Sequence, residues 1–109
     1  MSFQRFLNLV EALRQSPTYP EMDPIEERML NAMAAAWHAG TRLTVMSVMH
    51  MFPTISPSTV HRRLKSLRAK VLIELVPDLE DNRVKYVQAT GRTDDYFAML
   101  GRCMAQAQH

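Results

Sequence analysis

Hydrophobic residues at the start of the chain recur every three or four positions, which is the spacing of one face of an α-helix. Between residues 3 and 15 these positions are Phe3, Phe6, Leu7, Val10 and Leu13. The proline-containing segment 16–20 ends this helix, because proline excludes the residue before it from helical backbone. The first element is therefore predicted to be an amphipathic helix over residues 3–15.

A second helix is predicted from Asp23 to about His38. Asp23 suits the cap of a helix, and Pro24 fits its first turn. Glu26 stands three residues after the cap, where the acid of a capping box belongs. Gly40 then suits the stop.

The middle of the chain is predicted to hold two short helices joined by a tight turn. Leu43 lies in a short extended piece before a helix over residues 45–52, and Pro53–Ile55 forms the turn. The next helix runs from Ser56 to Lys70, with a serine cap followed by proline. Its apolar residues fall on one face and are Val60, Leu64 and Leu67.

A β-hairpin and a last helix complete the pattern. Residues 71–76 are apolar and β-branched, and residues 83–89 alternate polar and apolar positions, so both segments are predicted strands. The polar segment 77–82 is the turn between them, and a helix follows from Thr90 or Thr93. Two short helices, a tight turn and a hairpin in this order specify a winged helix–turn–helix.

The predicted fold class is therefore mainly α with a small β-hairpin (α+β): a winged helix–turn–helix with extra N- and C-terminal helices. The chain has 109 residues, which is the size of a single domain. Within it we expect N-terminal helices over 1–40, the helix–turn–helix and wing over 41–92, and a C-terminal helix over 93–109.

Composition excludes several other classes of protein. Hydrophobic residues make up 47% of the chain and charged residues 22%, as in soluble globular domains. One cysteine excludes an internal disulfide and a cysteine-rich zinc site. No apolar run approaches the roughly 18–20 residues of a membrane span, and the N-terminus lacks the pattern of a signal peptide. We expect a cytoplasmic protein without a membrane partner.

The charges are unevenly distributed, although their net value is only +2. Residues 1–40 and residues 71–109 each carry a net charge of −2, whereas residues 41–70 carry +6 and contain no aspartate or glutamate. A stretch of thirty residues without a carboxylate creates a local positive potential. It is either an ordinary solvated face or a surface for an anionic partner, and the element that it forms decides between them.

That stretch includes the second helix of the helix–turn–helix, whose face opposite the apolar residues carries hydroxyls and then cations. On a helical wheel Thr59 and His61 flank this face, and Arg63 and Arg68 lie nearer the core boundary. The residues that the wheel places on the outer face itself are Ser58, Arg62, Lys65, Ser66 and Ala69. Such a face suits the major groove of DNA, where arginine binds guanine and hydroxyls bind phosphates. The predicted DNA contacts of this helix are Ser56, Ser58, Thr59, His61, Arg62, Arg63, Lys65 and Ser66.

The tip of the hairpin adds Asn82, Arg83 and Lys85 as predicted DNA contacts. A wing arginine suits the phosphate backbone or the minor groove, where the potential is negative. Acidic residues stand in the same loop, so the whole tip is not expected to contact phosphate. One resolution is that Asp81 pairs with Arg83, or with a cation of the helix.

Residues 43–92 resemble the DNA-binding core of the MarR family of bacterial transcription regulators. The residues that carry this resemblance are Ser56-Pro57-Ser58-Thr59-Val60, Leu64, Leu67, Leu72-Ile73, Asp81-Asn82-Arg83, Val87, Thr90 and Gly91. The resemblance implies a homodimeric regulator, dimerised through its terminal helices and bound to a pseudo-palindromic site on double-stranded DNA. The chain departs from the family in having Lys70-Val71 where a glycine often precedes the first wing strand, and in its short terminal helices.

Several residues keep two interpretations. The apolar faces of the terminal helices are either core or a dimer interface, which would comprise Phe3, Phe6, Leu7, Val10, Tyr96, Phe97 and Leu100. Cys103 is either a small apolar residue or a redox sensor. The winged helix itself is either a DNA-binding regulator or a module that binds another protein.

Other chemistry is not expected. The four histidines, His38, His50, His61 and His109, are not at metal-ligand spacing, and the methionines are expected to fill gaps in the core. Neighbouring carboxylates fall in first turns of helices, and no nucleophile with a base or glycine-rich phosphate loop is recognisable. We therefore expect no enzymatic activity, no cofactor and no metal; a small-molecule effector stays an open question.

Overall fold

The computed structural model describes residues 3–15 and 20–107. The predicted proline-containing turn therefore lies largely outside the described residues, as does His109. Within the described residues the elements are α1 (Phe3–Arg14), α2 (Pro24–His38), β1 (Leu43–Thr44), α3 (Val45–Met51), α4 (Pro57–Ala69), β2 (Ile73–Pro77), β3 (Lys85–Ala89) and α5 (Gly91–Ala107).

These elements form two compact units. One unit comprises Met22–Thr90 and contains α2, α3, α4 and the sheet. The other contains α1 and α5, which pack against each other. The first unit has the element order of a winged helix–turn–helix: α3, a turn, α4, and then the β2–β3 hairpin.

Side chains cap the three helices of the larger unit. Asp23 Oδ1 accepts the N–H of Glu26 at 2.8 Å, and Glu26 Oε1 accepts the N–H of Asp23 at 3.1 Å, so the predicted capping box is confirmed. A second capping box, between Thr44 and Ser47, starts α3. Ser56 caps α4 as predicted, accepting from the N–H of Thr59. These hydrogen bonds satisfy N–H groups that have no partner within the helix.

The hairpin belongs to a three-stranded antiparallel sheet in the order β1-β3-β2. Val87 of β3 lies between Leu43 of β1 and Leu75 of β2. The first wing strand begins at Ile73, two residues after its predicted start, and the extended piece at Leu43 supplies the third strand. Trp37 Nε1 of α2 donates to the backbone oxygen of Val87 at 3.0 Å, so the wing is fixed to the helices.

One hydrophobic core holds the larger unit together. It buries the apolar stripes of the helices against the inner side of the sheet, and the wheel prediction for α4 is confirmed. The buried residues are Met29, Leu30, Met33, Leu43, Val48, Phe52, Val60, Leu64, Leu67, Leu72, Ile73 and Val87. Because α4 packs on this core along its whole length, its opposite face is the one presented outward.

A buried carboxylate joins α2 to α4. Glu26 Oε2 accepts from Ser66 Oγ at 2.8 Å, and both carboxylate oxygens accept from Lys70 Nζ at 2.9 Å. Burial by itself would raise the pKa of Glu26, but the hydrogen bonds from Lys70, the N–H of Asp23 and Ser66 outweigh it and lower the pKa below 4.5. Glu26 is therefore a charged anchor for α4.

Helices α2 and α4 end in the same way with different residues. In each, the two residues after the cap donate to carbonyls of the last turn: Gly40 and Thr41 after α2, Val71 and Leu72 after α4. The first of these residues adopts a left-handed backbone, with φ of 84° at Gly40 and 61° at Val71. Glycine adopts this conformation freely, whereas a β-branched residue is strained in it.

We expect Val71→Gly to stabilise the protein by about 0.5–1 kcal/mol, since relief of roughly 1–2 kcal/mol of strain outweighs the entropy that glycine adds to the unfolded chain. Little apolar burial is lost, because Val71 is exposed. Urea unfolding of the two proteins measures the change. Gly40→Val is the matched control, which should be destabilised; a destabilised Val71→Gly protein would contradict the strain.

We expect Glu26→Gln to lose about 1–2 kcal/mol of stability at neutral pH, because the amide replaces charged hydrogen bonds with neutral ones. The folded pKa of Glu26 is lowered, so its contribution is complete above the unfolded pKa and is lost as pH falls through the folded value. The gap between the two proteins in urea unfolding should thus shrink below about pH 4.5. The control is Glu74→Gln, which alters an exposed glutamate and should change stability little. A stability difference between the parent and Glu26→Gln that is independent of pH would contradict a charged Glu26.

Candidate nucleic-acid interface

The outward face of α4 carries hydroxyls near its N-terminus and cations along the rest. Ser58, His61, Arg62 and Lys65 are exposed, as the helical wheel predicts. Arg68, which the wheel placed near the core boundary, is also exposed and continues the row of cations. No acidic residue stands in the first turn of α4, so the positive end of the helix dipole is not neutralised there.

The hydroxyls at the start of α4 form a small hydrogen-bonded group. Ser56 Oγ donates to Thr59 Oγ1 at 2.8 Å and lies 3.4 Å from Ser58 Oγ. Because Ser56 also accepts the N–H of Thr59, its side chain holds the helix start in shape. Thr59 is half-buried, so Ser58 is the hydroxyl that this group presents most openly.

Two of the predicted contacts on α4 lie against α2. Ser66 donates to Glu26 and is half-buried, so its placement on the outer face is wrong. Arg63 Nε lies 2.9 Å from Asp23 Oδ2, an ion pair whose N–H does not point closely enough at the carboxylate for a hydrogen bond. Both side chains sit at the edge of α4 nearest α2, where a wheel drawn for one helix cannot show the neighbour.

The wing presents Arg83 in a fixed orientation. Arg83 Nε donates to Asp81 Oδ1 at 3.1 Å and its Nη2 to Asp81 Oδ2 at 3.2 Å, while the arginine side chain remains 91% exposed. Of the two pairings that the sequence left open for Asp81, the one with Arg83 is confirmed. The pKa of Asp81 is lowered by the hydrogen bonds from the Arg83 side chain and backbone. Asn82 is exposed beside it, and Lys85 is half-buried in β3.

Asp78 shapes the wing loop, a role that the sequence did not reveal. Its carboxylate accepts the N–H groups of Glu80 and Asp81 at 2.8 and 3.2 Å and the hydroxyl of Tyr86 at 2.8 Å. The bond to the Glu80 N–H and then the one from Tyr86 lower the pKa of Asp78, and the same bond raises the pKa of Tyr86. The Arg42 guanidinium stacks 3.9 Å from the Tyr86 ring centre, which extends this cluster to the residue before β1.

The two terminal helices carry the residues predicted for a dimer interface, with mixed exposure. Phe3 and Leu7 are exposed, and Val10, Phe97 and Leu100 are half-buried. Tyr96 is only 3% exposed and packs edge to face on Phe97, so it offers almost no surface to a partner. The side chain of Phe6 lies outside the described residues.

The described residues contain no cluster of three or more histidine, cysteine or acidic side chains that could hold a metal ion. Over the same residues, no helix is both long and apolar enough to cross a membrane. Cys103 is half-buried and not in a disulfide.

Comparison with solved structures confirms the winged-helix fold that the resemblance implied. A MepR mutant from S. aureus bound to an oligodeoxyribonucleotide has a TM-score of 0.65 and 19% identity, covering 96% of this chain and 69% of that one. A transcriptional regulator from Thermotoga maritima has a TM-score of 0.63 and 13% identity, covering 96% of this chain and 66% of that one. A MarR mutant from E. coli complexed with operator DNA has a TM-score of 0.58 and 16% identity, covering 92% of this chain and 61% of that one.

The chain thus spans about two thirds of the length of these structures. No protein-family model and no curated protein matches it. At this identity the similarity establishes a winged-helix fold for the chain.

We expect the Nε–H signal of Arg83 in an NMR pH titration to shift with a midpoint below 3.8, because protonation of Asp81 releases the arginine and the pKa of Asp81 is lowered. Asp81→Asn should abolish this transition while leaving the amide spectrum of α4 unchanged. An Arg83 signal that is insensitive to pH, or identical in the Asn variant, would contradict the pairing.

Proposed function

We propose that this protein binds double-stranded DNA sequence-specifically and regulates transcription as a homodimer. The observation that carries the proposal is the outward face of α4, where Ser58, Arg62, Lys65 and Arg68 are exposed and no carboxylate stands among them. In a helix–turn–helix this second helix is the one that enters the major groove.

The acids nearest α4 support this interpretation by their position. Asp23 and Glu26 approach from α2 and engage Arg63 and Lys70 at the inner edge of the helix. The cations on the outer face keep a positive potential, since residues 41–70 contain no aspartate or glutamate. Arginine there suits a guanine, through paired hydrogen bonds, and lysine suits a phosphate.

The wing supports a second contact with the duplex. Arg83 is almost fully exposed, and its ion pair with Asp81 restricts its orientation. An arginine at a wing tip suits the phosphate backbone or the minor groove, where the potential is negative. Asn82 beside it adds a hydrogen-bonding group, whereas Asp78 is occupied within its own loop.

A homodimer suits both the terminal helices and the proposed recognition. Phe3, Leu7 and Met104 of α1 and α5 expose large apolar side chains, and such groups tend to be covered in assemblies. Two copies would place two recognition helices roughly 34 Å apart on one face of DNA, which doubles the contacts of a short helix.

A protein-binding module is the second candidate, favoured by one observation at the wing. Leu79 is fully exposed between Asp78 and Glu80, which is a surface unsuited to DNA. A module of this kind would bind duplex DNA weakly and with little dependence on salt.

We expect the purified protein to select specific sequences from genomic fragments. Its affinity should fall steeply as salt rises, because binding releases salt cations from the DNA phosphates and this release is less favourable at high salt. Arg62→Ala should weaken binding to the selected site by about 1–3 kcal/mol and relax specificity at one base pair; Lys65→Ala should reduce the salt slope by about 1. Fluorescence anisotropy at two salt concentrations measures both.

The matched control is Arg28→Ala, which removes an exposed arginine from α2 and should leave affinity unchanged. Titration at high DNA concentration should give two chains per site. Weak binding that is insensitive to salt, or unchanged binding by the Arg62→Ala/Lys65→Ala double variant, would overturn the proposal.

A further inference from the structure

A cavity of about 670 Å³ opens between α3, the start of α4 and the start of β3. Four of its lining side chains carry soft or borderline donor atoms: the thioethers of Met46 and Met49 and the imidazoles of His50 and His61. The sequence predicted no metal site because its histidines are far apart, but folding brings two of them to one cavity together with two methionines.

Helix geometry explains why these donors meet. Met46, Met49 and His50 stand at positions i, i+3 and i+4 of α3, so they share one face of that helix. His61 comes from α4 across the intervening turn. Val48 of α3 and Val60 of α4 are fully buried in the core, which holds the two helices in place beside the cavity.

The two methionines are not needed to fill the core. Met29 and Met33 have no exposed surface and take that role, whereas Met46 is 65% exposed. Met49 beside it is half-buried. Methionine has three rotatable bonds and a polarizable sulfur, so two of them that line a cavity can close around a ligand smaller than the cavity. Both histidines are exposed too, so their ring nitrogens are open to solvent and to an ion.

We propose that Met46, Met49, His50 and His61 form a binding site for a soft monovalent metal ion, Cu(I) or Ag(I). Thioethers and imidazoles are the donors that select Cu(I). Zn²⁺ instead takes thiolate, imidazole and carboxylate, and the residues that line the cavity include neither cysteine nor an acid.

The charges around the cavity favour a monovalent ion over a divalent one. Arg83 and Lys85 also line it, and their repulsion is proportional to the charge of the ion. Asp81 partly offsets the charge of Arg83 through their ion pair. The site depends on the fold of the larger unit and not on DNA binding.

The test is a titration of the full chain with Ag⁺, which shares the ligand preference of Cu(I) and does not change oxidation state. The chain carries ¹³C-methyl methionine, and Cys103→Ser is used in parallel because a thiolate competes strongly for this ion. We expect the methyl signals of Met46 and Met49 and the ring signals of His50 and His61 to shift together and saturate at one equivalent. Zn²⁺ should leave the methyl signals in place.

The Met46→Leu/Met49→Leu double variant keeps side-chain volume and should weaken Ag⁺ binding about tenfold or more, as should His50→Gln/His61→Gln. Competition with a chromophoric Cu(I) chelator should rank the proteins in the same order. Met104→Leu and His38→Gln, which alter exposed residues elsewhere, are the matched controls and should bind as the parent does. The amide spectrum confirms that each variant is folded.

Three results would overturn the site: no shift of Met46 and Met49 at stoichiometric Ag⁺, equal shifts of every exposed methionine, or unchanged affinity in both double variants. Because these readouts need no DNA, failure of the metal site is distinguishable from failure of the proposed DNA-binding function.

Discussion

The orientation of α4 depends on one buried carboxylate. Glu26 is fixed by its own capping box at the start of α2, and it then holds Ser66 and Lys70 on the last turns of α4. Asp23, the other half of that box, pairs with Arg63 one turn earlier. A buried charge of this kind is tolerated only when it is fully paired, so the capping of α2 and the placement of α4 are a single constraint.

The same constraint sorts the charges of the protein. Two acids of α2 neutralise the cations along one edge of α4 and leave Arg62, Lys65 and Arg68 on the outer face. The net charge of +2 is therefore an average over a segregated surface. Acids stabilise the fold at the edge of α4 next to α2, and the cations lie on the outer face of α4. Local potential decides what an anionic partner meets, whereas net charge describes only the average.

Local patterns predicted the helices, the hairpin and the fold class, because caps and hydrophobic spacing act over a few residues. The outer face of α4 followed from the same spacing. The contacts that set its edges did not, since Ser66 and Glu26 are forty positions apart and no helical wheel contains the neighbouring helix. The acids of the wing loop were expected to keep part of the tip from phosphate, but the carboxylate of Asp78 accepts hydrogen bonds from the turn and from Tyr86. The grouping of the cavity donors was likewise not predicted, because it depends on which faces of α3 and α4 lie towards each other in the folded protein.

Val71 shows how the wing is held where the sequence alone argues against it. A valine with left-handed backbone is disfavoured, so its conformation persists only if the surroundings over-determine it. Two contacts fix the conformation of Val71. Leu72 next to it is fully buried, and the Val71 carbonyl accepts a hydrogen bond from the hydroxyl of Thr90, which follows β3 at the base of the hairpin. With Trp37 bound to Val87 on β3, the hairpin is tied to the helices at both strands. The position of Arg83 relative to α4 is thus set by contacts at the base of the wing, and the strain at Val71 is offset by the same contacts.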